Sequence, residues 1–161
     1  MHRAARKTQE QSIAICPDCR LGRLRSVRDE YEHHFVYEGR KYCVALRQLS
    51  IIRCDRCGEI SLDQEALAAL LDAEYHHLDL LLPREIASAR QRIGLSQRKC
   101  AELLGTGIAT LSRWEKGHVR QSRSMDNLLR MALEDENCRK HLEGIRLRAL
   151  HRRRSDSGCR G

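Results

Sequence analysis

The chain has 161 residues, enough for one ordinary domain or two small ones, and its 30 lysines and arginines outweigh 22 acidic residues to give a formal charge of +8. That charge suits a polyanionic partner but does not establish one. The first residues, MHRAARKTQEQS, lack the apolar core of a secretion signal, and no stretch reaches the roughly 18 apolar residues of a membrane span. We therefore expect a cytoplasmic protein that does not enter a membrane, whose cysteines hold metal rather than disulfides.

Two CxxC pairs mark the first predicted module, which spans residues 15–80 after a flexible extension over residues 1–14. The pairs are Cys16 with Cys19 and Cys54 with Cys57. Each pair flanks a tight turn that presents both sulfurs to one point, and two such turns supply the tetrahedral thiolate set that Zn²⁺ prefers. Four thiolates leave no open position for water or substrate, so we predict a structural Zn²⁺. A redox CxxC would explain one pair but not both.

A β-hairpin is predicted between the two pairs, because apolar and aromatic residues alternate from Tyr31 to Tyr37 and again from Tyr42 to Leu46 around the turn Glu38-Gly39-Arg40. After the second pair, residues 61–64 (SLDQ) have the form of a capping box that begins with Ser61, and apolar residues at helical spacing then predict a linker helix. Glu74 interrupts that apolar stripe. Surface or packing roles are assigned to the other histidines and cysteines considered, which are His33, His34, His76, His77, Cys43, Cys100, Cys138 and Cys159.

The second predicted module, residues 83–144, is an all-α domain of five helices. Pro83 suits the first turn of the first helix, and Gly105 suits a turn that requires a positive φ. The predicted helices cover residues 84–93, 97–104, 108–116, 125–133 and 135–147, and residues 145–161 are predicted to be a basic disordered tail. Trp114 is assigned to packing within a core that comprises Ile93, Leu95, Ala101, Leu104, Leu111, Trp114, Leu128, Leu129 and Ala132.

From Ile86 onwards the chain resembles the Cro/C1-type (XRE) helix-turn-helix family. The matched elements are GLSQ at 94–97, AELLG at 101–105 and SRWEKG at 112–117. The resemblance implies binding to duplex DNA, with a recognition helix over residues 108–116 and a homodimer on two half-sites. It also implies a buried ion pair between Arg90 and Glu115, and a phosphate contact at Gln97.

The exposed residues of the recognition helix are the candidate DNA contacts. Arg113 is the strong candidate for base reading, because a guanidinium can bond to both O6 and N7 of guanine. Ile108 and Ala109 are apolar where relatives carry polar readers, so we expect sparse direct readout and a larger contribution from DNA shape. The predicted contacts are Gln97, Ile108, Ala109, Thr110, Ser112, Arg113, Lys116 and Arg120, with Arg123 as a weaker phosphate candidate.

The complete order, a CxxC…CxxC module, a linker helix and an XRE-type domain, resembles the MqsA-type (YgiT-type zinc finger) antitoxin family over residues 15–144. The segments YEGRKYCV, CDRCGE, GLSQ, LSRWEKG and DNLLRMAL occur in the corresponding order. The resemblance implies that the zinc module binds a toxin, typically an mRNA-cleaving ribonuclease, and that the second domain dimerises and represses the operon. Ala109 departs from the family's asparagine, so the operator sequence does not carry over.

Three function classes follow, on a predicted α+β fold with a small β-rich four-cysteine zinc module, a linker helix and an all-α domain. The first is an antitoxin that is also a repressor, and the second is a zinc-containing transcription regulator without a toxin partner. A neighbouring gene for a small ribonuclease would separate these two. The third is an enzyme, and we reject it because the sequence has no Ser/His/Asp set, phosphate-cradling glycine loop or open metal site.

Overall fold

The computed structural model describes residues 12–156. These residues form a four-stranded antiparallel sheet followed by six helices, so the fold is α+β, as predicted. The chain divides into two compact units between His77 and Leu78. Over the described residues, no helix combines the length and the apolar character that crossing a membrane requires.

The first unit contains the sheet and one helix. Its elements are β1 (Ser12–Ile15), β2 (Arg23–Tyr37), β3 (Arg40–Cys54), β4 (Ile60–Ser61) and α1 (Gln64–His77). The strands lie in the order β1-β2-β3-β4, and β2 and β3 form the predicted hairpin. Its turn residues, Glu38 and Gly39, both have positive φ, which is the backbone that a two-residue hairpin turn favours.

Two boundaries in this unit differ from the sequence prediction. Three of the four residues of β1 lie within the extension, residues 1–14, that was predicted to be flexible, and β1 pairs with β2 through partners such as Ala14 and Leu24. The capping box at Ser61 was wrong, because Ser61 pairs with β3 as part of β4. Instead, Oδ1 of Asp63 accepts a bond from the backbone N of Ala66 at 2.8 Å and caps α1.

α1 packs against one face of the hairpin. Alternate residues of β3, Leu49 and Ile51, are buried together with Ala66 and Leu70 of α1. Tyr75, one helical turn beyond Leu71, is fully buried as well. The buried residues are thus two positions apart in the strand and four positions apart in the helix, and both sets pack in one small core.

The second unit is entirely helical. Its helices are α2 (Pro83–Arg92), α3 (Gln97–Leu103), α4 (Ile108–Glu115), α5 (Arg123–Glu134) and α6 (Glu136–Asp156). Serine side chains, Ser96 and Ser122, cap the starts of α3 and α5. Gly105, in the segment that joins α3 to α4, has φ +68°, as its predicted role in the turn requires.

α6 is longer than the sequence prediction. Residues 145–161 were expected to be disordered, whereas α6 continues to Asp156. This segment contains arginine, leucine and alanine, which all favour helix. Its positive charge was therefore not a sign of disorder. Residues 157–161, which include Cys159, lie outside the described part of the chain.

The five helices of this unit enclose a single apolar core. Trp114 is 5% exposed, which confirms its packing role. Ile93, Leu95 and Leu128 lie partly buried at the edge of the core. The remaining five residues of the predicted core are buried as well, and the structure adds Ile86, Cys100, Leu103 and Leu133.

A buried polar network joins the start of the second unit to α5. Asp126 and Gln121 are both fully buried. The side-chain nitrogen of Gln121 donates to Oδ1 of Asp126 at 2.9 Å and to the carbonyl of Leu81 at 2.8 Å. The backbone N of Leu81 donates to the same Asp126 oxygen at 2.8 Å, so the segment before α2 is held by paired polar groups.

Candidate functional site

Two turns with the same backbone form hold the four predicted zinc ligands. In the first, the amide of Arg20 donates to the carbonyl of Cys16 at 3.0 Å, and in the second, the amide of Gly58 donates to the carbonyl of Cys54 at 3.2 Å. Arg20 and Gly58 each follow the second cysteine of a pair, and both have positive φ, 54° and 75°. The local chain therefore turns back at the same point in each CxxC segment.

The four sulfurs lie close together, all within 4.8 Å of one another. Cys16 and Cys57 are 3.8 Å apart at their Sγ atoms, and Cys19 and Cys54 are 3.7 Å apart. A tetrahedral Zn²⁺ with Zn–S bonds of about 2.3 Å requires sulfurs roughly 3.8 Å apart. The number, type and spacing of these donors therefore fit zinc, and the structure brings together all four residues that the sequence predicted.

The electrostatics of the cluster favour a cation. Backbone N–H groups of Leu21 and Gly22 lower the pKa of the Cys19 thiol to about 6. The backbone of Glu59 acts in the same direction on Cys57, but neighbouring cysteine sulfurs and burial outweigh it and raise the pKa of that thiol to about 12. Four adjacent thiols cannot all ionise without a compensating charge, and a divalent metal supplies that charge.

Gly22 belongs to this metal centre, although it was not among the residues expected there from the sequence. Its backbone N donates to Sγ of Cys19 at 3.3 Å. A Cβ at this position would overlap Sγ of Cys54 and lie 2.8 Å from Cβ of Arg56. Only glycine therefore lets the two turns approach this closely, and the requirement becomes visible only when Cys54 is placed beside it.

A partly buried His–Glu pair lies where α1 meets the hairpin. Nε2 of His33 is 2.6 Å from Oε1 of Glu74, and Glu74 is only 7% exposed. This contact explains why an acidic residue interrupts the apolar stripe of α1. The rings of Phe35 and His33 stack with centroids 5.9 Å apart, and His77 meets Phe35 edge-on. Packing or surface roles were expected for these histidines, and nothing in the sequence indicated this pairing.

In the second unit, α4 divides its residues between two faces. Leu111 and Trp114 are buried, whereas Ala109, Arg113 and Lys116 are exposed at intervals of four and three residues. The structure places the predicted contacts Ile108, Ala109, Thr110, Ser112 and Arg113 on this helix, and Lys116 directly after it. Thr110 and Ser112 are partly buried, and so is Arg120, which precedes α5.

The predicted buried ion pair is present and includes a third residue. Nε of Arg90 is 2.5 Å from Oε1 of Glu115, and its Nη2 is 2.9 Å from Oε2. The side-chain nitrogen of Gln97, a residue expected to contact phosphate, donates to Oε2 of Glu115 at 2.7 Å. Burial raises the pKa of Glu115, but the bonds from Arg90 and Gln97 outweigh it and hold that pKa below its ordinary value.

Comparison with known proteins places the chain in a family. The family model for the antitoxin component of a bacterial toxin-antitoxin system, MqsA, matches residues 14–143, which include both cysteine pairs. Antitoxin MqsA of Escherichia coli (strain K12) is 28% identical over 126 residues, an alignment that covers 72% of this chain and 89% of that relative. The chain therefore belongs to the MqsA family of antitoxin components of bacterial toxin-antitoxin systems.

Proposed function

We propose that this chain is a non-enzymatic antitoxin of a type II system, which binds a ribonuclease-like toxin through its first unit and represses its own operon as a DNA-binding dimer. Membership of the antitoxin family supports the first part. The observation that carries the second part is the division of α4, which buries Leu111 and Trp114 and exposes Arg113 on another side, with Lys116 exposed directly after the helix. A short helix whose exposed face is basic suits the major groove of DNA.

We assign α3 and α4 to a helix-turn-helix, with α4 as the recognition helix. Arg113 reads guanine through O6 and N7, a contact worth about 1–3 kcal/mol of discrimination. Ile108 and Ala109 meet only apolar groups such as thymine methyls. Lys116 and Arg120 contact phosphates, with Thr110 and Ser112 beside them as weaker hydroxyl donors, so affinity depends steeply on salt.

Gln97 is still proposed to contact a phosphate, although its side chain also donates to Glu115. Its amide nitrogen carries two hydrogens, and one is directed at Glu115. The second remains for a phosphate oxygen. Because Glu115 orients the amide, Gln97 would enter the DNA complex with its nitrogen already positioned rather than free to rotate.

A homodimer would use the apolar surface of α5 and α6. Met131, Ile145 and Leu147 are 55%, 46% and 55% exposed, which is high for large apolar side chains. Large apolar side chains exposed to water are typical of a protein interface when they cluster, and Met131 and Ile145 each line a groove beside Leu128 and Leu142. Two copies joined there would bind two half-sites of the operator, about one helical turn of DNA apart.

The zinc module would supply the toxin-binding surface in the cytoplasm, where reducing conditions keep its cysteines as thiolates. Zinc stabilises this small unit, and the hairpin offers the contact. β1 pairs only with residues 23–25 of β2, and β4 only with residues 52–53 of β3. Along β3, residues 40–51 therefore have no neighbouring strand on their outer side within the described sheet, and a partner strand can add to such an edge.

A gel-shift titration with the DNA upstream of the chain's own gene tests the DNA-binding part. We expect Arg113→Ala to weaken operator binding at least tenfold, with zinc content and thermal stability unchanged. Arg92→Ala removes the same charge from an exposed position at the end of α2 and should weaken binding only slightly. Equal affinity of the Arg113→Ala variant and the wild type would refute the assignment.

Purification from the native host tests the toxin-binding part. We expect a small ribonuclease, encoded beside this gene, to co-purify with the full chain and to lose its RNA-cleaving activity in the complex. Recovery of the chain as a free dimer, from cells that express the neighbouring gene, would favour a transcription regulator without a toxin partner.

A further inference from the structure

Three different metal-binding side chains meet on the exposed face of the hairpin. A carboxylate oxygen of Glu32, a ring nitrogen of His34 and Sγ of Cys43 all lie within 4.8 Å of one another. His34 and Cys43 are direct partners across β2 and β3, and Glu32 is two residues before His34 on the same face. All three residues are exposed.

This cluster is separate from the four-cysteine centre. Strand alternation directs His33 towards Glu74 of α1, so its neighbours Glu32 and His34 lie on the opposite face of the sheet. Cys43 is also far along β3 from Cys54, the nearest zinc ligand in sequence, at roughly 35 Å for a rise of about 3.3 Å per residue. A metal bound at one site therefore shares no ligand with the other.

We propose that Glu32, His34 and Cys43 form a second metal site, which binds a divalent d-block cation of the zinc class. Thiolate, imidazole and carboxylate are the three donor types that zinc accepts, whereas calcium and magnesium take oxygen donors. Three protein ligands leave a fourth tetrahedral position for water or an incoming side chain. This site is open, unlike the four-cysteine site.

The sheet is well suited to hold such a site. Its antiparallel ladder sets the spacing between His34 and Cys43, so little backbone freedom is lost when a metal binds. The residue opposite Glu32 is Ala45, whose small side chain leaves the carboxylate room to turn towards the other two ligands. Because the residues are exposed, a metal can enter and leave without unfolding of the unit.

Cobalt titration of the zinc-loaded full-length protein tests the proposal. With zinc retained in the four-cysteine site, we expect one further equivalent of Co²⁺ to bind and to give a thiolate-to-cobalt absorption band. Its intensity should be about a quarter of that from a fully cobalt-substituted four-cysteine site, since one thiolate contributes instead of four. Added Zn²⁺ should displace the cobalt and remove the band.

Variants identify the ligands. Cys43→Ser should abolish the band, and His34→Ala and Glu32→Gln should each weaken cobalt binding at least tenfold, with zinc content unchanged. Cys138→Ser is the matched control, because Cys138 is a partly exposed thiol beside the carboxylate of Asp135 but belongs to α6. A band that survives Cys43→Ser, or no second equivalent in the wild type, would overturn the proposal.

Discussion

The side-chain nitrogen of Gln97 lies 2.7 Å from Oε2 of Glu115, the same oxygen that accepts a bond from Arg90. Gln97 is the first residue of α3 and Glu115 the last of α4, so one carboxylate connects the two helices. Through Arg90 it also reaches α2. The side chains of Arg90 and Glu115 are only 9% and 6% exposed, so their charges depend on each other for compensation.

Replacement of Glu115 by alanine should therefore destabilise the second unit by about 3–5 kcal/mol, because it leaves the Arg90 guanidinium buried without its partner. Urea denaturation followed by the fluorescence of Trp114, the single tryptophan of the chain, measures this unit directly. Glu143→Ala, which removes an exposed carboxylate from α6, should change the free energy of unfolding by less than about 0.5 kcal/mol. Equal effects of the two substitutions would contradict the structural role of the pair.

The carboxylate of Glu115 should also make the second unit less stable in acid. The pKa of Glu115 is lower in the folded protein than in the unfolded chain, so its contribution is complete above the unfolded value of about 4.3. It is lost as the pH falls through the lower, folded value. We expect the urea concentration at the midpoint of the Trp114 transition to decrease as the pH is lowered below about 4.5. The decrease should be less steep in Glu115→Gln, because that side chain has no charge to lose. Parallel pH profiles for the two proteins would exclude this residue as the cause.

Removal of one zinc ligand should affect the two units unequally. Cys57→Ser leaves three thiolates, and we expect the first unit to lose its metal and most of its sheet signal in circular dichroism. The Trp114 unfolding transition should keep its midpoint, because that residue lies in the core of the other unit. A full equivalent of zinc in the variant, or a shift of the Trp114 transition as large as that in Glu115→Ala, would show that this separation is wrong.

Gly22→Ala should weaken zinc binding without removing a ligand. The added methyl would overlap Sγ of Cys54, so one of the two turns must move and the tetrahedral spacing of the sulfurs is lost. We expect at least tenfold faster zinc release to a chromogenic chelator. Gly144→Ala is the control, because a Cβ there makes only an ordinary contact of 3.5 Å. Identical release from both variants and the wild type would mean that the turns can adjust at no cost.

The sequence predicted most accurately what short segments determine. The CxxC turns, the hairpin turn at Glu38 and Gly39, and the starts of α2 and α3 all depend on a few neighbouring residues, and the structure contains each of them. The ion pair of Arg90 with Glu115 was also expected, but from family resemblance rather than from any local pattern.

Features that depend on residues far apart were missed. β1 is only four residues long, so its pairing with β2 leaves no periodic pattern to detect. The partner of Glu74 is on another strand, and the orientation of Gln97 depends on a carboxylate at the end of a different helix. Pairing with β3 decides where β4 ends, and because β4 includes Ser61, Asp63 rather than Ser61 caps α1.

Both cysteine turns lie at the same end of the hairpin, while its own turn lies roughly 50 Å away at about 3.3 Å per residue over 15 residues. If β2 slipped by one residue against β3, the two faces of β2 would exchange, which would bring His34 inside and turn Phe35 out to water. A metal that clamps the base of the hairpin opposes such a slip along its whole length. Zinc would then decide which set of side chains this long ribbon shows to a partner.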